Sequence, residues 1–465
     1  MNSGILKNLL SFSIGNYISM IIGIVTTPIV TRLISPSEYG VVSLYNTFAN
    51  IILIILLLGL DQGFIRFYSV KKEEENELLY SCLIFPLLLS IIILTTIYIF
   101  RYDISIFIFK KNDNTSIYLF MTYIIILLLN RFSYLIIRMK QKGKIYSTLQ
   151  IIQSLCNFIC IVLFYQKYNN NYKTLIISSL ISTTITTFIT IYFEKRVWKF
   201  PKKIKIEKYI LLYSYPFIAT MSITWIFQSL DKIVLKIFST SYQLGLYAGA
   251  DKIIVIISLI QTSFTTFWAP LVYKKYEDQD QDFFIKVNEY VSFIMLFIGI
   301  IMINFRMIFE LILGKNYSEV IYIIPCLVLV PIILTISEIT VVGINIRKKT
   351  KLHIVISVVV TVVNLIGNLI LVKVCGAIGA AISTAIAYII FYILRTEIGI
   401  RLLDIKFNVK KVYILLFLIL IYSIYVSFKE NNIFIIGLYI ALFYSYKNIL
   451  KECEEKFIKF IKKKS

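Results

Sequence analysis

Ionisable side chains interrupt otherwise apolar sequence in the stretch 225–270: Asp231 beside Lys232, then Lys236, and further on Asp251 beside Lys252. A carboxylate set in hydrocarbon can take up a proton or hold a cation, and an ammonium there can meet an anion. Placing either costs about 2.5–3.5 kcal/mol or more, so such residues mark functional sites by default. The stretch WIFQSLDKIVLKIFSTSYQLGLYAGADKIIVIISLIQTSFTTFWAP reads as two membrane helices joined by a short polar turn. With the tip near Ser241, Asp231 and Asp251 stand equally far along their helices. At ~1.5 Å per residue that distance is about 15 Å, near the middle of a core about 30 Å thick. The two pairs are expected at one depth on neighbouring helices. Asp231 and Asp251 are candidates to carry a coupling proton or sodium ion, and Lys232, Lys236 and Lys252 to meet an anion.

Other charges sit deep in apolar runs. Arg131 shares a helix face with Tyr134 and Arg138. Arg138 is near a boundary and reads as snorkelling, whereas Arg131 is deeper and permanently charged, a candidate for anion binding. Asp61 falls about a turn and a half inside the end of the second span and Arg66 about at that end. These two are expected to pair or to line a vestibule, with Asp61 a further coupling candidate and Arg66 a further anion contact. Glu338 follows Pro325 and Pro331 in one span. Prolines at that spacing predict a broken or bent helix, of the kind transporters place near their sites. Glu338 reads either as an ion-coupling residue or as a capped boundary residue. His353, the single histidine, reads as interfacial. Cys82, Cys156, Cys160, Cys326, Cys375 and Cys453 are scattered; Cys156 and Cys160 share a face, but no histidine or carboxylate joins them at metal-ligand spacing. The cysteines read as small hydrophobes, and neither a metal nor any cofactor beyond the coupling ion is expected.

The elements that must position these groups follow from composition. The chain has 465 residues, 58% hydrophobic and only 16% charged, with mean hydropathy +0.81. Soluble domains carry about 25% charge and lack recurrent apolar runs of 18 residues or more. The chain is therefore expected to be an all-α polytopic membrane protein. Spans are placed near 9–34, where Pro28 predicts a kink, then through LLLGLDQGFIRFYS, and at 79–100, 117–137, 145–165 and 174–193. The opening hairpin supplies two more, followed by 287–309, 320–342, two spans meeting at VKVCGAIGAAISTAIAY, and two short ones at 412–428 and 433–446. The total is about 14 transmembrane helices. The first run lacks a signal-peptide cleavage pattern and is expected to stay as a membrane helix.

The net charge of +22 is concentrated in alternate loops, at 138–144, 194–208 and 346–351 and in the tail 447–464. That side is expected to be cytoplasmic, with both termini on it. The charge reads as topology and attraction to anionic lipid rather than nucleic-acid binding. The runs VKKEEENE and KKYEDQDQD read as solvated.

Shifting the chain by roughly 205 residues aligns its halves. SPSEYG at 35–40 falls on TSYQLG at 240–245, Tyr68 on Tyr273 and Ser178 on Ser383. Two six-helix bundles are expected, 1–193 and 209–396, joined by a basic cytoplasmic linker at 194–208 and followed by two extra helices and a basic tail at 397–465. Shifted back, Asp231 and Asp251 land on Thr26 and Asn46, so the acids belong to the second half alone.

The stretches TPIVTRLISPSEYGVVSLY, GLDQGFIRFYS, D-K-I-V-L-K followed by L-G-L-Y-A-G-A-D-K and W-A-P, and G-A-I-G-A-A-I-S resemble polysaccharide repeat-unit (O-antigen/capsule) flippases of the multidrug/oligosaccharidyl-lipid/polysaccharide (MOP) exporter superfamily. The resemblance implies two six-helix bundles around a cationic cavity. It also implies movement of an undecaprenyl-diphosphate-linked oligosaccharide from the cytoplasmic to the outer leaflet of a bacterial inner membrane, with ion-gradient coupling and with a polymerase and other polysaccharide-assembly proteins as partners. The first span lacks the arginine cluster of a lipid II flippase. A multidrug/cation antiporter of the same superfamily would favour acids over bases in the cavity, whereas Arg131 and the three lysines tip the balance positive. A membrane polymerase, the enzyme alternative, would want a large outward loop, and RYDISIFIFKKNDNTS is short.

Overall fold

The computed structural model describes residues 3–71, 74–201, 208–277, 281–403, 405, 407–429, 434–452 and 454–455. Parts of the basic linker (202–207), of KKYEDQDQD (278–280) and of VKKEEENE (72–73), Cys453 and the end of the tail lie outside the described residues. Among the described residues every regular element is a helix, and twelve helices are long and apolar enough to cross a membrane. The chain is a polytopic all-α protein.

Two compact units divide the chain, Met1–Lys232 and Ile233–Ser465. The division falls inside a helix, past the linker at 194–208. The first unit begins with α1 (Ser3–Leu33), α2 (Pro36–Leu57) and a short α3 (Leu60–Phe67). It continues with α4 (Glu75–Ile99), α5 (Arg101–Phe109), α6 (Asn114–Met139), α7 (Gly143–Tyr168) and α8 (Tyr172–Phe193). The long α9 (Lys208–Phe238) begins in this unit. α1 packs along α7, α7 along α8, α8 on α6, and α6 on α2 and α4. α1 runs through Pro28 as one helix.

Between α2 and α3 the expected single span breaks. Leu58 and Gly59 both take positive φ, 49° and 72°, which no helix tolerates and glycine adopts most readily. A Cβ on Gly59 would stand 2.3 Å from the carbonyl oxygen of Ser214, so α9 crosses α3 at close range. A core of Phe64, Tyr68, Phe132, Leu135 and Leu79 surrounds this break.

The second unit carries α10 (Ser241–Glu277), α11 (Gln281–Asn304), α12 (Met307–Leu313), α13 (Val320–Leu327), α14 (Leu329–Thr340) and α15 (Val342–Ile346). It ends with α16 (Lys351–Leu403), α17 (Val409–Val426) and α18 (Ile435–Ser445). The turn before α10 is at Ser239 and Thr240, next to the expected tip. The proline-bearing span is interrupted at Val328, as the sequence predicts. Pro331 has no N–H to donate to Leu327 four residues back, so the ladder lapses there while Val328 keeps helical φ and ψ of −56° and −31°. α16 has 53 residues, about 80 Å if straight, more than twice a membrane core. At Gly376 (φ 56°, ψ −128°) it folds back on itself, and Ser383 Oγ donates to the Asn364 carbonyl across the two arms, 3.0 Å apart. α16 therefore supplies two crossings. The second crossing of α16 adds one to the twelve long apolar helices among the described residues, and α18, with 11 residues, is a further apolar helix shorter than these.

Candidate functional site

The first unit contains a cavity of about 560 Å³. Asn50, Leu53, Ile54 and Leu57 form one face of α2 along it, at helical spacing. Phe217, Met221, Trp225 and Gln228 do the same from α9, held close by the Gly59–Ser214 crossing. α3 contributes Asp61 and Gln62, and α6 contributes Arg131. Asp61 and Arg131 are the ionisable side chains of this wall.

They form an ion pair. Arg131 Nη2 lies 2.6 Å from Asp61 Oδ2 and Nε donates to the same oxygen at 3.2 Å. Gln62 Nε2 donates to it as well, at 3.1 Å. Asp61 Oδ1 is buried and has no hydrogen-bond partner among the described residues. The pair is asymmetric: the Asp61 side chain is fully buried, the Arg131 side chain 42% exposed. One charge is thus locked in protein and its partner faces open space, where a planar guanidinium can take a phosphate oxygen.

Asp61 is therefore the partner of Arg131 and not of Arg66, which corrects the expected pairing; of the other alternative, Asp61 lines the cavity and Arg66 is not among its lining residues. Residues five apart on a helix stand about 140° apart around its axis, so Asp61 and Arg66 face different ways on α3. Arg66 is exposed in the last turn of α3. Asp231 is buried, at 6% exposure, and Lys232 and Lys236 are half-buried. In the second unit Asp251 is half-buried and Lys252 exposed. Asp231, Lys232, Lys236 and Asp251 each make polar or electrostatic contacts.

Glu338 belongs to a second guanidinium–carboxylate pair, whose arginine the sequence did not single out. Arg395 Nη1 donates to Glu338 Oε1 at 3.1 Å and to Ser337 Oγ at 2.9 Å, and its guanidinium lies over the Phe391 ring at 4.8 Å. Both members are largely enclosed, with side-chain exposures of 21% and 10%. Trp268 Nε1 donates to the Glu338 carbonyl at 3.0 Å and its ring stacks on Phe264 and Phe283, so Trp268 braces this pair. His353 Nε2 is 2.8 Å from Asn345 Oδ1. The only signal for Arg395 is an arginine in YILRTE, at the end of an apolar run where a boundary charge is ordinary.

At one end of the first unit an ionic cluster fastens four helices. Lys140, after α6, lies 2.7 Å from Glu75 at the start of α4 and 2.8 Å from Glu194 at the end of α8. Lys142 also binds Glu194, and Tyr68 OH, after α3, donates to Glu75 at 2.6 Å. Glu75 is thus no solvated residue of VKKEEENE. Burial alone would raise the Glu194 carboxyl, but Lys140 and Lys142 outweigh it and hold it below the ordinary range. At the opposite end Asp113 caps α6, accepting from Ser116 N at 3.1 Å, from Tyr172 OH at 2.7 Å and pairing with Lys173 at 2.8 Å. Burial raises its carboxyl, and these donors overcome that to bring it down to about 2. Among the described residues no cluster of three or more His, Cys, Asp or Glu converges as a metal site would require.

No curated protein matches the sequence. Among solved structures the chain is similar to that of a lipid II flippase, MurJ, in an inward closed conformation, with TM-score 0.72 at 18% identity over 96% of this chain and 99% of that one. It is also similar to a multidrug resistance MATE family transporter of the MOP superfamily. The outward-facing form gives TM-score 0.55 at 16% identity, over 86% of this chain and 96% of that one. The inward-facing form gives 0.57 at 15%, over 86% and 98%. At these identities the likeness establishes a shared fold. The family model described as polysaccharide biosynthesis protein matches residues 5–274, more than half of the chain and all of the cavity's lining, and the chain belongs to that family.

Proposed function

We propose that the protein moves an undecaprenyl-diphosphate-linked oligosaccharide repeat unit from the cytoplasmic to the outer leaflet of a bacterial inner membrane by alternating access, in O-antigen or capsule assembly. The observation that carries this reading is Arg131, a half-exposed guanidinium on the wall of a cavity within the ligand-pocket range of about 300–1,000 Å³. A diphosphate headgroup cannot enter hydrocarbon without a compensating cation, and Arg131 supplies one. Asn50, Gln62 and Gln228 offer amide donors and acceptors to sugar hydroxyls, while Trp225 offers an apolar face. The polysaccharide family and the structural likeness to a flippase of lipid II support the same class of cargo. A cation antiporter would need its acid uncovered, whereas here the acid is covered and the base exposed. Lys232, Lys236, Lys252 and Arg66 remain proposed further contacts for the anion, and Asp231 and Asp251 proposed coupling groups; Glu338, enclosed with Arg395, is proposed as a brace in place of a coupling group. The lobes 1–193 and 209–396 are proposed to rock about the site, with both termini cytoplasmic and a polymerase receiving the product.

The test is transport of an undecaprenyl-diphosphate-linked repeat unit in proteoliposomes, normalised to folded protein. Arg131→Ala should abolish it and Arg131→Lys restore part of it, since charge survives but the fork is lost. Full transport by the alanine variant sinks the assignment.

A further inference from the structure

The Asp61–Arg131 pair holds an unused atom. All three donors near Asp61, namely Arg131 Nε, Arg131 Nη2 and Gln62 Nε2, converge on Oδ2, while Oδ1 is buried without a partner among the described residues. Deepening the reading of Arg131 as the phosphate-binding group, we infer that Asp61 Oδ1 is a proton-binding site, filled when an anionic headgroup takes Arg131 away from Asp61.

The chemistry follows from burial. While Arg131 holds Oδ2 the pair is neutral as a unit. A phosphate that engages Arg131 from the cavity satisfies the guanidinium and leaves Asp61 a fully enclosed carboxylate with no counter-charge. An unpaired buried carboxylate is disfavoured against its neutral acid, so Asp61 binds one proton from the cavity at Oδ1: the carboxylate and a proton become a carboxylic acid, and no other bond changes. The site then holds guanidinium, phosphate and neutral acid. Leaving reverses the exchange, because Arg131 returns to Asp61 and the proton departs.

The surroundings favour a proton over a metal cation. From α2 the wall offers Asn50 and aliphatic side chains, and from α9 it offers Gln228, Trp225 and two apolar groups. Gln62 is already committed to Oδ2. The Cys82 thiol on α4 is within electrostatic reach of Asp61, and Lys71 acts on that same thiol from the far end of α3. Among the described residues no further carboxylate lines the cavity to complete a shell of hard oxygen ligands.

Two measurements on the full-length protein test this. Infrared spectroscopy of Arg131→Gln, which removes the cation but keeps a donor, should show a protonated-carboxyl band at neutral pH. The wild type and the Asp61→Asn/Arg131→Gln double variant should lack it. No such band in Arg131→Gln overturns the proton site, whatever the cargo. Calorimetric titration with undecaprenyl diphosphate, in buffers of different ionisation enthalpy, then counts protons. Wild type should take up about one proton more per headgroup than Asp61→Asn, with affinity rising about tenfold per pH unit of acidification relative to that variant. Asp61→Asn should bind at least as tightly, because Arg131 is released from its competitor. Equal proton uptake in the two proteins overturns the coupling, as does a sodium requirement for the exchange. Binding that is unaffected by Arg131→Gln refutes instead the phosphate role of Arg131, so the two failures are distinguishable.

Discussion

Each unit of this protein buries a carboxylate against an arginine, and the two pairs are built in opposite ways. Asp61 on α3 is sealed while Arg131 on α6 stands half in open space; Glu338 on α14 and Arg395 on α16 are both enclosed, with a serine hydroxyl, an aromatic ring and a tryptophan-braced backbone around them. An arginine enclosed on this scale is out of a ligand's reach, even though Arg395 Nε is buried without a hydrogen-bond partner among the described residues. One with an exposed side and a single carboxylate partner can exchange that partner. The same two residue types thus act as a brace in one unit and as a contact poised for exchange in the other, and exposure of the guanidinium decides which.

Removing the acid from each pair breaks the comparison most sharply. Glu338→Gln leaves Arg395 charged and enclosed, a loss of about 3–5 kcal/mol that should lower the melting temperature and the amount of folded protein in the membrane. Asp61→Asn leaves Arg131 with solvent access, and its stability should stay within about 1 kcal/mol of wild type. Equal losses in the two variants, measured by thermal unfolding in one detergent, would abolish the distinction between brace and contact. In transport the order reverses. Arg131→Lys should lose on the order of tenfold for want of the planar fork, whereas Arg395→Lys should transport normally per folded molecule.

The reversal in α16 offers a test with a smaller effect. Gly376→Ala forces a side chain into positive φ and brings its Cβ 2.9 Å from the Gln243 amide oxygen, at a cost of about 1–3 kcal/mol. It should destabilise the unit holding the brace and leave headgroup binding at the other unit's cavity unchanged; loss of binding without loss of stability would contradict that separation. The smallest effect is in acid. The Asp113 carboxyl, already low at about 2 in the folded protein, contributes stability that is present above its ordinary pKa and lost as pH falls through about 2. Asp113→Asn should lower the melting temperature at neutral pH and converge with wild type at the acid end. A constant gap across that range would exclude an ionic contribution from this cap.

Hydropathy made the helical class and the succession of spans legible, because membrane-length apolar runs leave little alternative. It also exposed Arg131, Asp61 and Glu338, since a charge in such a run is conspicuous by itself. It did not supply the partners. Asp61 and Arg131 are 70 residues apart, and only the packing of α3 on α6 joins them. Sequence proximity offered Arg66 instead, and helix geometry rules that pairing out. Glu75 and Glu194 were lost among loop charges because a charge run looks alike whether solvated or clamped by Lys140. The break at Val328 was readable from proline chemistry, whereas the break at Leu58 and Gly59 was not: one glycine in an apolar run does not announce a left-handed turn.

The crossing of α9 over α3 at Ser214 and Gly59 has a consequence for any attempt to divide the chain. Phe217, Met221, Trp225 and Gln228, four of the residues facing Arg131's cavity, are encoded after the basic loop at 194–208. A fragment that stops in that loop would synthesise the pair but not its enclosure, leaving the groove beside Asp61 open along one whole side. The loop is thus a seam in charge but not in architecture, and a fragment that keeps the cavity's lining whole would have to be cut after residue 232.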